Sequence, residues 1–288
     1  MYPNFELVVP TTLSDALAEL SGDTNSVTPM AGGTNLMIDM RAGLTSPEKI
    51  VSLSSVSDFG QIAHRDGRVE IGGRTTMSDI LYSNDMRVLA PSLHESAKVF
   101  AGQMVRNTAT VAGNVCSGSP AADTVPPLLT LDAVLTLSST SGEREVPLSD
   151  FYTGYKQDVR KSDELISKIH WKELPDNTAN SFYKLGLRKG DAITIVGVAV
   201  LLTINGGVCQ KARIAFNSVA PVVKRAIGAE AILAGQTLSV ELIDKAAQHA
   251  VSESSPIDDL RASATYRRHC TGVLVRRLLN QAWQAIAK

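Results

Sequence analysis

The chain has 288 residues, of which 44% are hydrophobic and 20% charged, and its net charge is −1. That balance is ordinary for a globular protein, and the length suits two domains or one elaborate one. Near-neutral charge leaves no footprint for nucleic acid or an anionic membrane, and no apolar run of about 18 residues offers a membrane span. The N-terminal segment, MYPNFELVVPTT, has neither a basic start nor a long apolar core. No signal peptide is expected, and the expected compartment is the cytoplasm.

Taken in order, Thr11-Thr12-Leu13-Ser14-Asp15 opens a helix with Leu13, Ala16, Leu17 and Leu20 on one face, a Ser or Thr N-cap, and Gly22 at its end. Residues 26–30 read as a short strand. They run into Met30-Ala31-Gly32-Gly33-Thr34-Asn35-Leu36, ahead of a helix over 36–41. In a strand–glycine turn–helix unit, exposed amides and a helix N-terminus hold a phosphate. A Gly-Gly pair alone marks any tight turn. Residues 49–53 and 68–71 read as strands, with Asp66-Gly67 as a turn signal, and together they predict a small β-α-β-β unit around Gly32-Gly33.

Residues 72–79 start a second helical region, and 91–100 a further helix with Pro91 in its first turn. The stretch from Phe100 to Pro127 then turns polar and small. It passes through Thr110-Val111-Ala112-Gly113-Asn114 and Cys116 to Ser119-Pro120-Ala121-Ala122-Asp123, where a helix over 121–132 is expected. A loop of such small residues lets backbone amides approach a ligand or form an anion-binding concavity, although it also suits a plain connection between helices. Two such loops suggest the two phosphates of one pyrophosphate.

Residues 133–138 and 143–147 predict a hairpin, 149–158 an aromatic loop without regular period, and 165–171 a strand. The Phe151, Tyr152 and Tyr155 loop is a candidate partner-facing or ligand-covering surface, or one packed on its own domain. Pro175-Asp176-Asn177-Thr178 is the linker candidate, dividing the chain into 1–176 and 177–288. Beyond it, 181–187, 194–204 and 208–217 read as three strands, with Asn205-Gly206-Gly207 turning the second into the third. Helices are expected over 224–234, 240–252 and 264–287; in the last, Val273, Leu274, Leu278, Ala282 and Ile286 keep helical spacing.

The three cysteines, Cys116, Cys209 and Cys270, lack C-x-x-C spacing, and His64, His94, His170, His249 and His269 are scattered. No metal site is expected on this chain. Cys209 and Cys270 suit buried, structural positions, whereas Cys116 lies inside the small-residue stretch.

Ala31-Gly32-Gly33-Thr34-Asn35-Leu36, Thr110-Val111-Ala112-Gly113-Asn114 and Ser119-Pro120-Ala121-Ala122-Asp123 resemble the three signatures of the FAD-binding medium subunit of the molybdenum hydroxylases. That family includes the xanthine dehydrogenase flavin domain and the medium subunit of aerobic carbon monoxide dehydrogenase. The likeness runs along essentially the whole chain, through Phe-Tyr-Thr-Gly at 151–154, Asp-Glu-Leu-Ile at 163–166 and Lys-Leu-Gly-Leu-Arg-Lys-Gly-Asp at 184–191. It implies an α+β fold: a FAD-binding domain of the vanillyl-alcohol-oxidase/p-cresol-methylhydroxylase type, with two α/β subdomains. A C-terminal three-stranded antiparallel sheet with a helical bundle would follow.

The resemblance further implies that Pro29, Met30, Ala31, Gly32, Gly33, Thr34, Asn35 and Leu36, with Thr110, Gly113 and Asn114, surround a non-covalent FAD and its pyrophosphate. Phe100, Cys116, Ala122, Asp123, Ile166 and Lys184 match further positions around the flavin. By the same resemblance the molybdenum cofactor sits on a large molybdopterin subunit and the [2Fe-2S] clusters on a small one, in a dimer of heterotrimers, a heterohexamer. Electrons would pass through the FAD to NAD+, a quinone or dioxygen. No G-x-G-x-x-G motif indicates NAD. Two departures matter. The second motif usually reads Thr-Ile-Gly-Gly-Asn, and Ala112 stands for its first glycine, which predicts a negative φ with the amide still inward. The cysteine-rich insertion of the benzoyl-CoA-reducing relatives is absent, which argues against that branch.

Two other readings compete. A free-standing flavin oxidase would tether FAD through a residue such as Cys116 and carry its own base. A flavin-free scaffold would need no amide cradle, and Gly32, Gly33, Gly113 and Asn114 argue against it.

Overall fold

The computed structural model describes residues 2–21 and 26–286. The expected helix stop at Gly22 and the last expected helical residue, Ala287, lie outside the described residues.

The N-terminal part begins with three parallel strands in the order Glu6–Val8, Lys49–Ser52, Val27–Met30. Glu6–Val8 was not expected, because three residues with two exposed side chains carry no alternation to read. Helix Leu13–Leu20 carries the chain from the first strand toward the second, with Thr12 accepting from the Asp15 N–H at 3.1 Å as its N-cap. Helix Leu36–Arg41 makes the next crossover.

The expected β-α-β-β unit is corrected here. The strand Arg68–Gly72 belongs to a separate antiparallel sheet, ordered Ile62–Arg65, Arg68–Gly72, Leu165–Lys172, Val134–Ser139, Gly142–Pro147. Asp66 and Gly67 both take positive φ, 53° and 69°, the two-residue turn that closes a tight hairpin, so Arg68–Gly72 pairs back on Ile62–Arg65. The helix expected over 121–132 is shorter, Val125–Thr130: Pro126 and Pro127 sit in its first turn, and Asp132 leaves it at φ 51°.

The C-terminal part holds the three expected strands as Thr178–Gly186, Thr194–Asn205 and Val208–Asn217. A two-residue strand, Lys224–Arg225, joins their edge, so the helix expected from 224 begins at Ile227. Helices Ile227–Leu233 and Ala264–Ile286 cover this sheet, and Val240–Ser252 packs on both of them. Gly206 and Gly207, at φ 58° and 80°, make the hairpin turn between the long strands.

Two large apolar cores result. The first is built around Val69, Ile71, Leu128, Leu135 and Trp171, and it takes Leu201, Ala215 and Val223 from the C-terminal sheet. The second lies between that sheet and the closing helices. Polar groups lock the contact between the two parts. Helix Pro91–Val99 has no capping side chain of its own at Ala90. Asn180, on the first C-terminal strand, supplies one, its Oδ1 accepting from the Ser92 N–H at 3.2 Å while its Nδ2 donates to Thr130 Oγ1 and Val200 O at 3.0 and 3.1 Å. Glu95 on the same helix accepts from the Phe182 N–H at 2.6 Å, and burial pushes its carboxyl pKa up.

Asn180→Ala removes a buried acceptor and two donations at once. It should lower unfolding free energy by about 1–3 kcal/mol, measured by urea denaturation, since the Ser92 N–H is left buried without its partner.

Candidate functional site

A cavity of about 580 Å³ opens where the parallel sheet meets the helical segments of residues 100–117. Pro29, Met30, Ala31, Gly32, Gly33, Thr34, Asn35 and Leu36 form one wall. Phe100, Thr110, Gly113, Asn114, Cys116 and Ile166 line the rest, with Leu53, Phe59, Gly73, Val105 and Arg160 among the residues sequence reading missed. Val105 lies only five residues before the second motif, whereas Leu53, Phe59, Gly73 and Arg160 lie well away from both motifs in sequence and are brought in by the fold.

The glycine turn is fixed by contact. A Cβ on Gly32 would lie 1.9 Å from the Thr108 carbonyl oxygen, so only glycine lets this turn press against residues 108–109. Gly33 sits at φ +66°. Met37 donates to the Gly33 carbonyl at 3.0 Å and starts the following helix. Among the described residues, no oxygen accepts from the backbone N–H groups of Gly32, Gly33, Thr34 or Asn35. These four donors line the cavity wall, a natural seat for anionic oxygens.

The second motif differs from the expected open loop. Val111–Cys116 is a helix with Thr110 as N-cap, and Thr110 Oγ1 accepts from the Gly113 N–H at 3.0 Å. Val111 donates to Thr75 O at 2.9 Å and Asn114 to Thr110 O at 3.0 Å. The Gly113 amide is therefore spent on its own cap, and of this turn the Ala112 amide alone has no acceptor among the described residues. Ala112 is not in the positive-φ region, as expected. Asn114 Oδ1 accepts from Thr124 Oγ1 at 2.7 Å, which leaves the side-chain amide N–H groups of Asn114 as its free donors at the cavity wall.

Ala122, Asp123 and Lys184 do not line the cavity. Asp123 and Lys184 form an ion pair of 2.7 Å just behind it, with 6% and 7% of their side chains exposed. Lys184 also donates to Val99 O at 3.2 Å, next to Phe100, and Thr124 links Asp123 to Asn114. Phe151 is fully buried, and Tyr152 donates to Val115 O at 2.8 Å behind Cys116, so both pack on their own domain. Tyr155, 60% exposed, is the aromatic of this loop that faces solvent.

Cys116 touches the cavity beside Arg160, a base that only the fold brings near. Burial nevertheless dominates and pushes the Cys116 thiol pKa up, with the Arg160 charge opposing.

Residues 3–171 match the family described as the FAD binding domain in molybdopterin dehydrogenase, and 181–282 match the CO dehydrogenase flavoprotein C-terminal domain. The chain belongs to the FAD-binding subunits of the molybdenum hydroxylases. It is 30% identical to the carbon monoxide dehydrogenase medium chain of Afipia carboxidovorans, across 97% of this chain and 96% of that one. It is 28% identical to the putative xanthine dehydrogenase FAD-binding subunit of Escherichia coli, across 94% and 93%. Among solved structures, a carbon monoxide dehydrogenase from Hydrogenophaga pseudoflava superposes at TM-score 0.95 with 30% identity, covering 99% of both chains. Quinoline 2-oxidoreductase from Pseudomonas putida superposes at 0.93 with 25% identity, covering 100% of both.

The cavity of this flavin subunit fits FAD by its own chemistry. Four amides without acceptors among the described residues offer the donors that a pyrophosphate would need, and a Cβ at Gly32 or a side chain at Gly33 would disturb them. Gly33→Val should cut FAD occupancy at least tenfold while the circular dichroism spectrum stays folded. Gly113→Val, whose Cβ would meet the Thr110 Oγ1 cap at 2.8 Å, should act the same way. Full flavin absorbance in both variants would place the cradle elsewhere.

The raised thiol pKa keeps Cys116 protonated at pH 7 to 8, so the reactive thiolate appears only as pH climbs past the ordinary range. Iodoacetamide labelling of Cys116, mapped by peptide mass spectrometry, should therefore stay slow to pH 9. Fast labelling at pH 7 would contradict this.

Proposed function

We propose that this chain is the electron-transfer subunit of a heteromeric molybdenum hydroxylase. Electrons would arrive from [2Fe-2S] clusters on a small partner and leave to NAD+, a quinone or dioxygen. The observation that carries the reading is the row of amides without acceptors among the described residues, in a cavity that the exposed Ile38 and Val105 also line. Bound FAD supplies the exchange between single-electron and two-electron carriers.

The chain's own residues bind and orient. The amides of Gly32, Gly33, Thr34 and Asn35 hold the pyrophosphate, with the Asn114 side-chain amide and the Ala112 N–H facing the same space. Phe100, Leu36 and Ile38 give the flavin end an apolar lining that limits water. The Lys184–Asp123 pair stands behind that lining, where it fixes the Val99–Phe100 backbone and sets the local field.

The substrate-activating metal belongs on a large molybdopterin subunit. The assembly we propose is a dimer of heterotrimers in the cytoplasm, with this chain divided near 176 into its two domains. FAD is held without a covalent bond, since a protonated Cys116 is a poor nucleophile.

Purified chain should show flavin absorbance that acid or heat releases completely as FAD. Alone, it should oxidise no aldehyde, heterocycle or carbon monoxide, while co-expression with its large and small partners should restore turnover. Flavin fluorescence that migrates with the chain on a denaturing gel would defeat the non-covalent assignment. Substrate-dependent dye reduction by the isolated chain would promote the oxidase reading instead.

A further inference from the structure

Four successive carbonyls, from Val99 to Gly102, are taken up by two cationic residues beside the cavity wall. Lys184 Nζ donates to Val99 O at 3.2 Å, and Arg106 Nη1 donates to Phe100 O at 2.8 Å and to Ala101 O at 2.7 Å. The Arg106 backbone N–H takes the next, Gly102 O, at 3.0 Å. Phe100, Ala101 and Val105 line the cavity, but Arg106 does not. It ends the short helix Gln103–Arg106 and reaches back over the turn that precedes it.

That turn needs the hold. Ala101 stands at φ 36°, a conformation that a residue with a Cβ seldom keeps unaided. No carboxylate pairs with Arg106 among the described residues, and its Nε is buried without an acceptor. The bonding of this guanidinium therefore goes to the two carbonyls on either side of the Ala101 backbone. A carbonyl let go by Arg106 would be a free acceptor in a segment that lines the cavity. Another part of the wall offers the amides of Gly32, Gly33, Thr34 and Asn35, donors suited to an anion, and a loose acceptor near them would repel the same anion.

We infer that Arg106 is a positioning residue for FAD binding. It holds Phe100, Ala101 and Gly102 in the left-handed turn that keeps their carbonyls bonded, so that this segment presents no free acceptor to the cavity. It acts through Ala101 rather than by touching the cofactor. This rests on the FAD-binding function proposed above.

The test uses the full chain, freed of flavin and titrated with FAD by flavin fluorescence quenching. Arg106→Met keeps the reach of the side chain and removes its donors. With the turn then in its binding form only about 1–10% of the time, FAD affinity should fall about ten- to a hundredfold. Adding Ala101→Gly, which takes positive φ without the Cβ penalty, should recover about fivefold or more of that loss. A residue that served only the stability of the fold, or one that bonded FAD directly, would gain no affinity from a glycine at 101. A double variant that binds no tighter than Arg106→Met would therefore overturn the proposal, and so would undiminished affinity in Arg106→Met. Should Arg106→Met fail to fold by circular dichroism, Arg106→Lys, with and without Ala101→Gly, gives the same comparison, with a smaller loss and again a recovery. Wild-type chain that binds no FAD would instead overturn the parent reading, and this one with it.

Discussion

One buried carboxylate joins the cofactor domain to every long strand of the C-terminal sheet. Asp123 Oδ2 accepts from Lys184 Nζ at 2.7 Å, and Oδ1 accepts from Thr194 Oγ1 at 2.5 Å and Asn217 Nδ2 at 3.1 Å. Those three donors come from the three long strands of the C-terminal sheet. Removing charged groups from water is costly, and the pair is offset here by two further donations to Oδ1 and by the second donation of Lys184 to Val99 O. Deleting one partner would leave the other charge buried directly behind the cavity. Gly197 follows from the same arrangement: a Cβ there would lie 2.2 Å from Asn217 Oδ1, so a mid-strand glycine makes room for the asparagine that completes the shell.

This cluster explains why a cofactor domain and a sheet with closing helices act as one body. The apolar contact of Leu201, Ala215 and Val223 with the N-terminal core supplies area but little direction. Directional bonds lie at Asp123, at Asn180 and at Glu95, each reaching the first C-terminal strand, and at Asp132, which pairs with Arg213 and Arg225 farther across the sheet. Because Lys184 also holds the Val99 carbonyl, any shift of that strand is felt at Phe100 in the cavity wall.

Much of this was legible in the sequence, for reasons that differ by element. The turns at Asp66-Gly67 and Asn205-Gly206-Gly207 announce themselves because positive φ needs such residues, although the strand Ile62–Arg65 that the first turn folds back on was not read. The glycine turn at Gly32-Gly33 was legible for the same local reason, and so were the long amphipathic helices. What was not legible depends on distant contacts. The Arg68–Gly72 strand has neighbours in either sheet by pattern alone, and its hairpin decides between them. The helix over Val111–Cys116 is hidden by Gly113 and Asn114, poor helix formers, and exists because Thr110 caps it and the Thr75 carbonyl fixes its entry. Arg160 is invisible as a cavity residue from its neighbours Val159 and Lys161, since the ion pair that aims it is set by a short hairpin.

The position of Cys116 shows why proximity to a cofactor site does not by itself make a nucleophile. Its thiol has a guanidinium beside it, the condition that ordinarily favours a thiolate. Yet that guanidinium is already paired in a bidentate fork with Asp158, whose negative charge acts in the opposite direction on the sulfur. The net field from the pair is small, and burial among Val115, Tyr152 and the cavity wall decides the outcome in favour of the neutral thiol. Asp158 thus offsets part of the guanidinium's pull on the sulfur, and burial leaves Cys116 a poor nucleophile toward anything bound beside it.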